Sequence, residues 1–153
     1  MTRSTSRKRS GLKAFTLTEV MIVLLVISII ATIAYPTYVG QMRKSRRAVA
    51  KSALLQAANQ EEQYFFANRA YGSLTDLGYS TSYFGNDGAP SSSADAVYQL
   101  TATTVNSGTG ICGTAPCFEL QAIPQNDQVN DSDCGTFTLT SDNTKGAASG
   151  ACW

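Results

Sequence analysis

The segment from Val20 to Ala34 reads VMIVLLVISIIATIA, with no charge in it, and Phe15 and Leu17 extend it backwards. As a helix, the 21 residues from Phe15 to Tyr35 at ~1.5 Å rise match the ~30 Å hydrocarbon core of a bilayer. Such a run must be covered by lipid or by other protein, and the rest of the chain has to be arranged around it. Yet a carboxylate, Glu19, stands at its start. On insertion scales an acidic group costs on the order of 2.5–3.5 kcal/mol at mid-bilayer and less near the interface. No Lys or Arg lies within the run to offset that cost. The missing cation must come from elsewhere, and a free amino terminus would serve if the chain were cut just upstream.

Charge is distributed unevenly around this segment. Residues 1–14 carry five cations and no acid, residues 15–52 are +4, and residues 53–153 are −8, so the chain as a whole is only +1. Basic residues flank the run on both sides, so the positive-inside rule is divided on orientation. One reading is a secretory signal peptide, with Ala31-Thr32-Ile33-Ala34 as the small-x-small site. The run is long for that role, and it continues without a turn signal into a helical pattern beyond Pro36.

The stretch Gly11-Leu12-Lys13-Ala14-Phe15-Thr16-Leu17-Thr18-Glu19-Val20, followed by the apolar run, resembles the prepilin signal of type IV pilins. The resemblance implies a basic leader, residues 1–14, removed by a prepilin peptidase between Ala14 and Phe15. Where the family usually carries glycine before the cut, this chain carries Ala14. It also implies methylation of the new amino group on Phe15, and Glu19 as the assembly charge that pairs with a neighbouring subunit's amine. Phe15 and Glu19 stand at i and i+4, so pairing within one chain is also within reach. Pro36 falls where many pilins carry proline, and with Gly40 it marks a local disturbance of the helix.

Beyond Pro36 the chain continues in good helix formers to Asn68. Tyr38, Met42, Val49, Ala53, Leu54, Ala57, Ala58, Tyr64 and Phe65 recur near helical period. One helix is expected over about 15–68, with 15–36 as its membrane or filament-core half and 37–68 as an amphipathic stalk. The cluster Arg43, Lys44, Arg46, Arg47 reads as a solvated face near the membrane in preference to a nucleic-acid or headgroup patch, because no aromatics interleave it. Glu61 and Glu62 read as exposed. Residues 69–96 are turn-rich and are expected as a connection with little regular structure.

Three strands are expected after it: Val97–Thr103, Phe118–Ala122 and Thr136–Thr140. The second alternates with Phe118, Leu120 and Ala122 on one face, and the third with Phe137 and Leu139 inward. The fold class is α+β, with the long helix packed on a small antiparallel meander over 97–153. Four cysteines, Cys112, Cys117, Cys134 and Cys152, allow three connectivities. Proximity favours Cys112–Cys117 and Cys134–Cys152, and the second pair resembles the carboxyl-terminal cystine loop of pilins. Cystines imply an oxidising compartment. The spacings are not C-x-x-C and no histidine is present, so neither a zinc site nor a redox pair is expected.

The tail pattern Gln125-x-Asp127, Asp131-x-Asp133-Cys134-Gly135-x-Phe137-x-Leu139-Thr140, Lys145-Gly146-Ala147 and Cys152-Trp153 resembles the PilE/ComP-like minor-pilin branch. The resemblance implies a structural subunit that enters the pilus and aids its assembly, motility or adhesion. Its partners are then other pilin subunits, the prepilin peptidase, the inner-membrane assembly machinery and, before assembly, the membrane. The precursor would cross the inner membrane once with its head in the periplasm, and the assembled subunit would lie in the extracellular pilus. A major pilin, a type II secretion pseudopilin and a DNA-uptake receptor are the alternatives. The paired carboxyl-terminal cysteines favour a pilus over a pseudopilus. Nucleic acid is disfavoured, because residues 53–153 offer only Arg69 and Lys145 against ten acids. Without histidine no triad or His-based general base exists, and Asp127, Asp131 and Asp133 read as solvated or turn-forming loop groups. No enzyme activity, cofactor or metal is expected.

Overall fold

The computed structural model describes residues 15–111 and 114–153. The chain falls into two units, Met1–Val39 and Gly40–Trp153. One 52-residue helix, α1 (Leu17–Asn68), contributes to both. Thr16 caps its start, with the Glu19 backbone N–H donating to Thr16 Oγ1 at 3.2 Å. In the first unit α1 is exposed along its length: Ile22, Leu24, Ile29, Ile30 and Ile33 all stand open. Three of its hydroxyls bond back to the helix itself. Ser28 donates to the Leu25 carbonyl, Thr32 to that of Ile29 and Thr37 to that of Ile33. From Val20 to Ala34 the segment thus presents apolar surface with the donors of Ser28 and Thr32 already satisfied, as lipid or a helix bundle requires.

The second unit is the head. There α1 lies on a five-stranded antiparallel meander in the order β1 (Tyr83–Phe84), β2 (Tyr98–Val105), β3 (Cys117–Pro124), β4 (Phe137–Thr140) and β5 (Lys145–Gly146). The fold is therefore α+β, as expected. Register follows the alternation: Leu100 faces Ala122, Leu120 faces Leu139, and Ala122 faces Phe137. Against these the helix sets Ala50, Ala53, Leu54 and Ala57. Three alanines in that stripe let the sheet approach closely, so Tyr98, Phe118 and Phe137 can fill the space as fully buried rings.

The structure adds two strands to the three expected. The stretch 69–96 is mostly turns, yet it supplies β1, which pairs with β2. The tail supplies β5, which pairs with β4. Each edge strand is two residues long. Phe84 is further bridged by Pro90, and β5 begins with Lys145.

The carboxyl-terminal tail is held from several sides. Cys134 and Cys152 form a disulfide with a sequence separation of 18, a loop closure worth roughly 3 kcal/mol in the chain-entropy model. Trp153 donates its indole N–H to the Gly146 carbonyl at 2.7 Å and stands edge-on to Phe137. Cys117 is also disulfide-bonded. The other half of the expected Cys112–Cys117 loop lies outside the described residues.

Candidate functional site

Two places carry the charged chemistry. The first is the start of α1. Ala14 lies outside the described residues, Phe15 is 80% exposed, and Glu19 is exposed in the first turn of the helix. Thr16-Leu17-Thr18-Glu19 follows the capping-box pattern, in which a hydroxyl and an acid three residues on serve the helix start. Sequence reasoning had passed over that pattern. Cap and assembly roles are compatible, because an acid in the first turn faces the positive end of the helix dipole. It therefore stands where a cation on Phe15 would also be. Between Phe15 and Met42 Glu19 is the only ionisable side chain apart from two tyrosines. Pro36 and Gly40 both lie inside α1, and a Cβ built on Gly40 meets nothing within 4 Å.

The second place is where the head clasps α1. Arg47 makes a two-pronged bond to Asp131, with Nε to Oδ2 at 2.7 Å and Nη2 to Oδ1 at 2.5 Å. It reaches Asp133 at 3.3 Å. The Asp131 side chain is 1% exposed and that of Asp133 is 82% exposed. Gln128, fully buried, donates both to Asp131 and to the Tyr98 hydroxyl. The side-chain bond to Asp131 raises the Arg47 pKa above its ordinary value, against burial that pulls it down. Arg46 donates to Asn86 and Lys51 to the Cys152 carbonyl. This corrects two expectations. Asp131 does form a turn, its carbonyl accepting the Gly135 N–H at 3.0 Å, but its carboxylate is not solvated, and the basic cluster is not simply a wet helix face, because Arg46, Arg47 and Lys51 tie the helix to the head.

Glu61 is a third correction. It is fully buried, and its Oε2 accepts the Gly72 backbone N–H at 3.0 Å. Its Oε1 has no partner among the described residues. Gly72 permits this approach, since a Cβ there would stand 3.0 Å from the Asp76 Cβ and 3.1 Å from the Tyr64 ring. Burial pushes the Glu61 pKa up, the Gly72 bond opposes that, and Glu62 and Asp76 add to the rise. Its folded pKa thus exceeds its unfolded one. The linked stability is complete below the unfolded value and is lost as pH rises through the folded one. The head should therefore be more stable at mildly acidic pH than at neutrality. Glu61→Gln, which keeps the acceptor for Gly72, should flatten that slope. Thermal melts of the detergent-solubilised chain from about pH 4.5 to about 7.5, followed by Trp153 fluorescence, check it. An equal slope in the variant would exclude Glu61 as its source.

Within the second unit, Arg46, Arg47 and Lys51 clasp the head to α1. A family model described as "Type IV minor pilin ComP, DNA uptake sequence receptor" matches residues 36–138, about two thirds of the chain. The prokaryotic N-terminal methylation motif matches residues 9–35. No curated protein matches the chain. A type IV pilin from Shewanella oneidensis is similar in structure at 22% identity and a TM-score of 0.47, over 72% of this chain and 97% of the pilin's. With the methylation motif leading into the apolar helix and the ComP model covering the stalk and most of the head, the chain belongs to the type IV minor pilin family.

Proposed function

We propose that the chain is made as a membrane-anchored precursor, cut between Ala14 and Phe15, methylated on Phe15, and built into a type IV pilus through Glu19. The observation that carries this reading is Glu19 itself, an acid at the head of an exposed apolar helix whose Ser28, Thr32 and Thr37 hydroxyls bond to its own carbonyls. Without a cation from the cut amino terminus, that acid has no partner in hydrocarbon. In this reading the apolar part of α1 leaves the lipid to pack among the helices of neighbouring subunits, and the head, periplasmic before assembly, faces outward. Mass spectrometry of sheared pili tests it. The expected amino-terminal peptide begins at Phe15 with one added methyl group. A peptide beginning at Met1, or beyond Ala34, would overturn the proposal.

The family's description as a DNA uptake sequence receptor favours a second reading, reception of DNA. Arg47 is neutralised by Asp131 and Asp133, and Arg46 and Lys51 bond to the head. After removal of the leader, Arg43, Lys44, Arg69 and Lys145 are left for phosphates. Each neutralised phosphate contributes about −0.9 to the slope of log affinity against log salt. Duplex binding by the processed chain in detergent, titrated across salt, should therefore show a slope of about −4 or shallower. A slope much steeper would mean that the cations clasping the head are released to bind DNA.

A further inference from the structure

Arg43, Lys44, Arg46, Arg47 and Lys51 crowd one stretch of α1, and the head takes up only three of them. Among the described residues, the side chains of Arg43 and Lys44 make no hydrogen bond or ion pair. Register gives the reason for Arg43. Arg43, Arg47, Ala50, Leu54, Ala57 and Glu61 succeed one another at alternating spacings of four and three, which is one helix face. The head covers that face from Arg47 onward, with Ala50, Leu54, Ala57 and Glu61 each at 0% exposure. Arg43 stands one turn short of the cover and is half-buried, while Lys44 is exposed. In sequence the pair comes nine residues after Ala34. Tyr35 and Tyr38, 72% and 64% exposed, lie between, as aromatic residues do at membrane–water interfaces.

We propose that Arg43 and Lys44 bind the phosphate headgroups of anionic phospholipid while the subunit waits in the membrane. This rests on the reading of the apolar segment as a membrane anchor. The chemistry fits a phosphodiester: guanidinium offers a planar fork of donors and ammonium a compact charge. Lipid is favoured over duplex DNA because the pair is tied within a few residues of an anchor that brings it to a membrane surface. Two adjacent cations also make a small footprint for a polyanion whose affinity grows with every phosphate neutralised. The contact sets the depth at which the subunit is held, and it breaks when the subunit leaves for the filament.

The test uses the full chain reconstituted into vesicles of phosphatidylcholine alone or mixed with phosphatidylglycerol. A membrane-impermeant amine reagent labels accessible lysines, and mass spectrometry reads Lys44 against Lys145 in the same molecules. Flotation with both kinds of vesicle reports the anchor separately. In anionic vesicles Lys44 labelling should fall about fivefold, equivalent to ~1 kcal/mol for a cation near an anionic surface, while Lys145 is unchanged. Arg43→Gln should weaken the protection, and high salt should erase it. Equal labelling of Lys44 in the two vesicles, with the chain afloat in both, overturns the proposal and leaves the anchor standing. Failure to float overturns both. Protection in neutral vesicles by added duplex DNA would make the pair a nucleic-acid contact instead.

Discussion

Replacing Asp131 by alanine is expected to destabilise the head by about 3–5 kcal/mol, the range for removing one partner of a buried ion pair. The carboxylate is 1% exposed and takes both prongs of Arg47. Its removal leaves the Arg47 guanidinium only the solvent-exposed Asp133 at 3.3 Å and deprives buried Gln128 of an acceptor. Arg47→Ala should cost a similar amount for the complementary reason. Asp133→Ala should cost under ~1 kcal/mol, because that carboxylate is open to solvent and screened. Arg47→Met combined with Asp131→Leu should recover most of the loss, since an apolar pair of similar volume avoids the desolvation of both charges. Thermal unfolding of the detergent-solubilised chain, followed by the single tryptophan, reads all four. A loss of about 3 kcal/mol lowers the midpoint by roughly 10 °C in a domain of this size. Equal small losses for Asp131 and Asp133 would remove the clasp as a source of stability.

Glu19→Val should lower incorporation into filaments on the order of a hundredfold, while insertion of the precursor into the membrane is unchanged or improved. The figure follows from an unpaired charge costing on the order of 2.5–3.5 kcal/mol in hydrocarbon, at about 1.4 kcal/mol per factor of ten. In the assembly proposed above, that cost would be relieved when Glu19 meets a Phe15 amine on a neighbouring subunit. The variant removes the acid and leaves the amine without its partner. Because Glu19 stands beside the Thr16 cap, helix loss is a rival cause of failure. Glu19→Gln, which retains a polar residue in the first turn, separates the two. It should restore the helix start and leave assembly impaired. Wild-type and variant chains co-expressed and counted in the membrane and in sheared filaments give the ratio. Equal ratios in both pools would sink the pairing.

The helix, β3 and β4 were legible because each has a period to read, and β2 because its residues are rich in strand formers. Apolar residues recur along the stalk, and Phe118-Leu120-Ala122 and Phe137-Leu139 alternate. The edge strands were not, since Tyr83–Phe84 and Lys145–Gly146 are too short to show any alternation and sit in turn-rich sequence. Glu61 was read as exposed beside Glu62, yet the spacing Ala50, Leu54, Ala57, Glu61 places it on the buried stripe. That register could have found it. Nothing near Asp131 in sequence marks it, because its partner lies 84 residues away, and pairing at that distance becomes visible only once the fold is formed. At the start of α1, the feature that singles out Glu19 is the cost of a charge in lipid, which is legible without a structure.

The two-residue borders of the sheet have a consequence for a protein that works within a crowded polymer. A long bare strand at the rim of each head would invite its neighbours to extend the sheet, and stacked heads would drift toward amyloid. Here one rim is closed by Pro90. At the other, Trp153 occupies the Gly146 carbonyl and Lys145 brings its charge. Strand-to-strand growth is thereby denied, and the order of subunits is left to their helices.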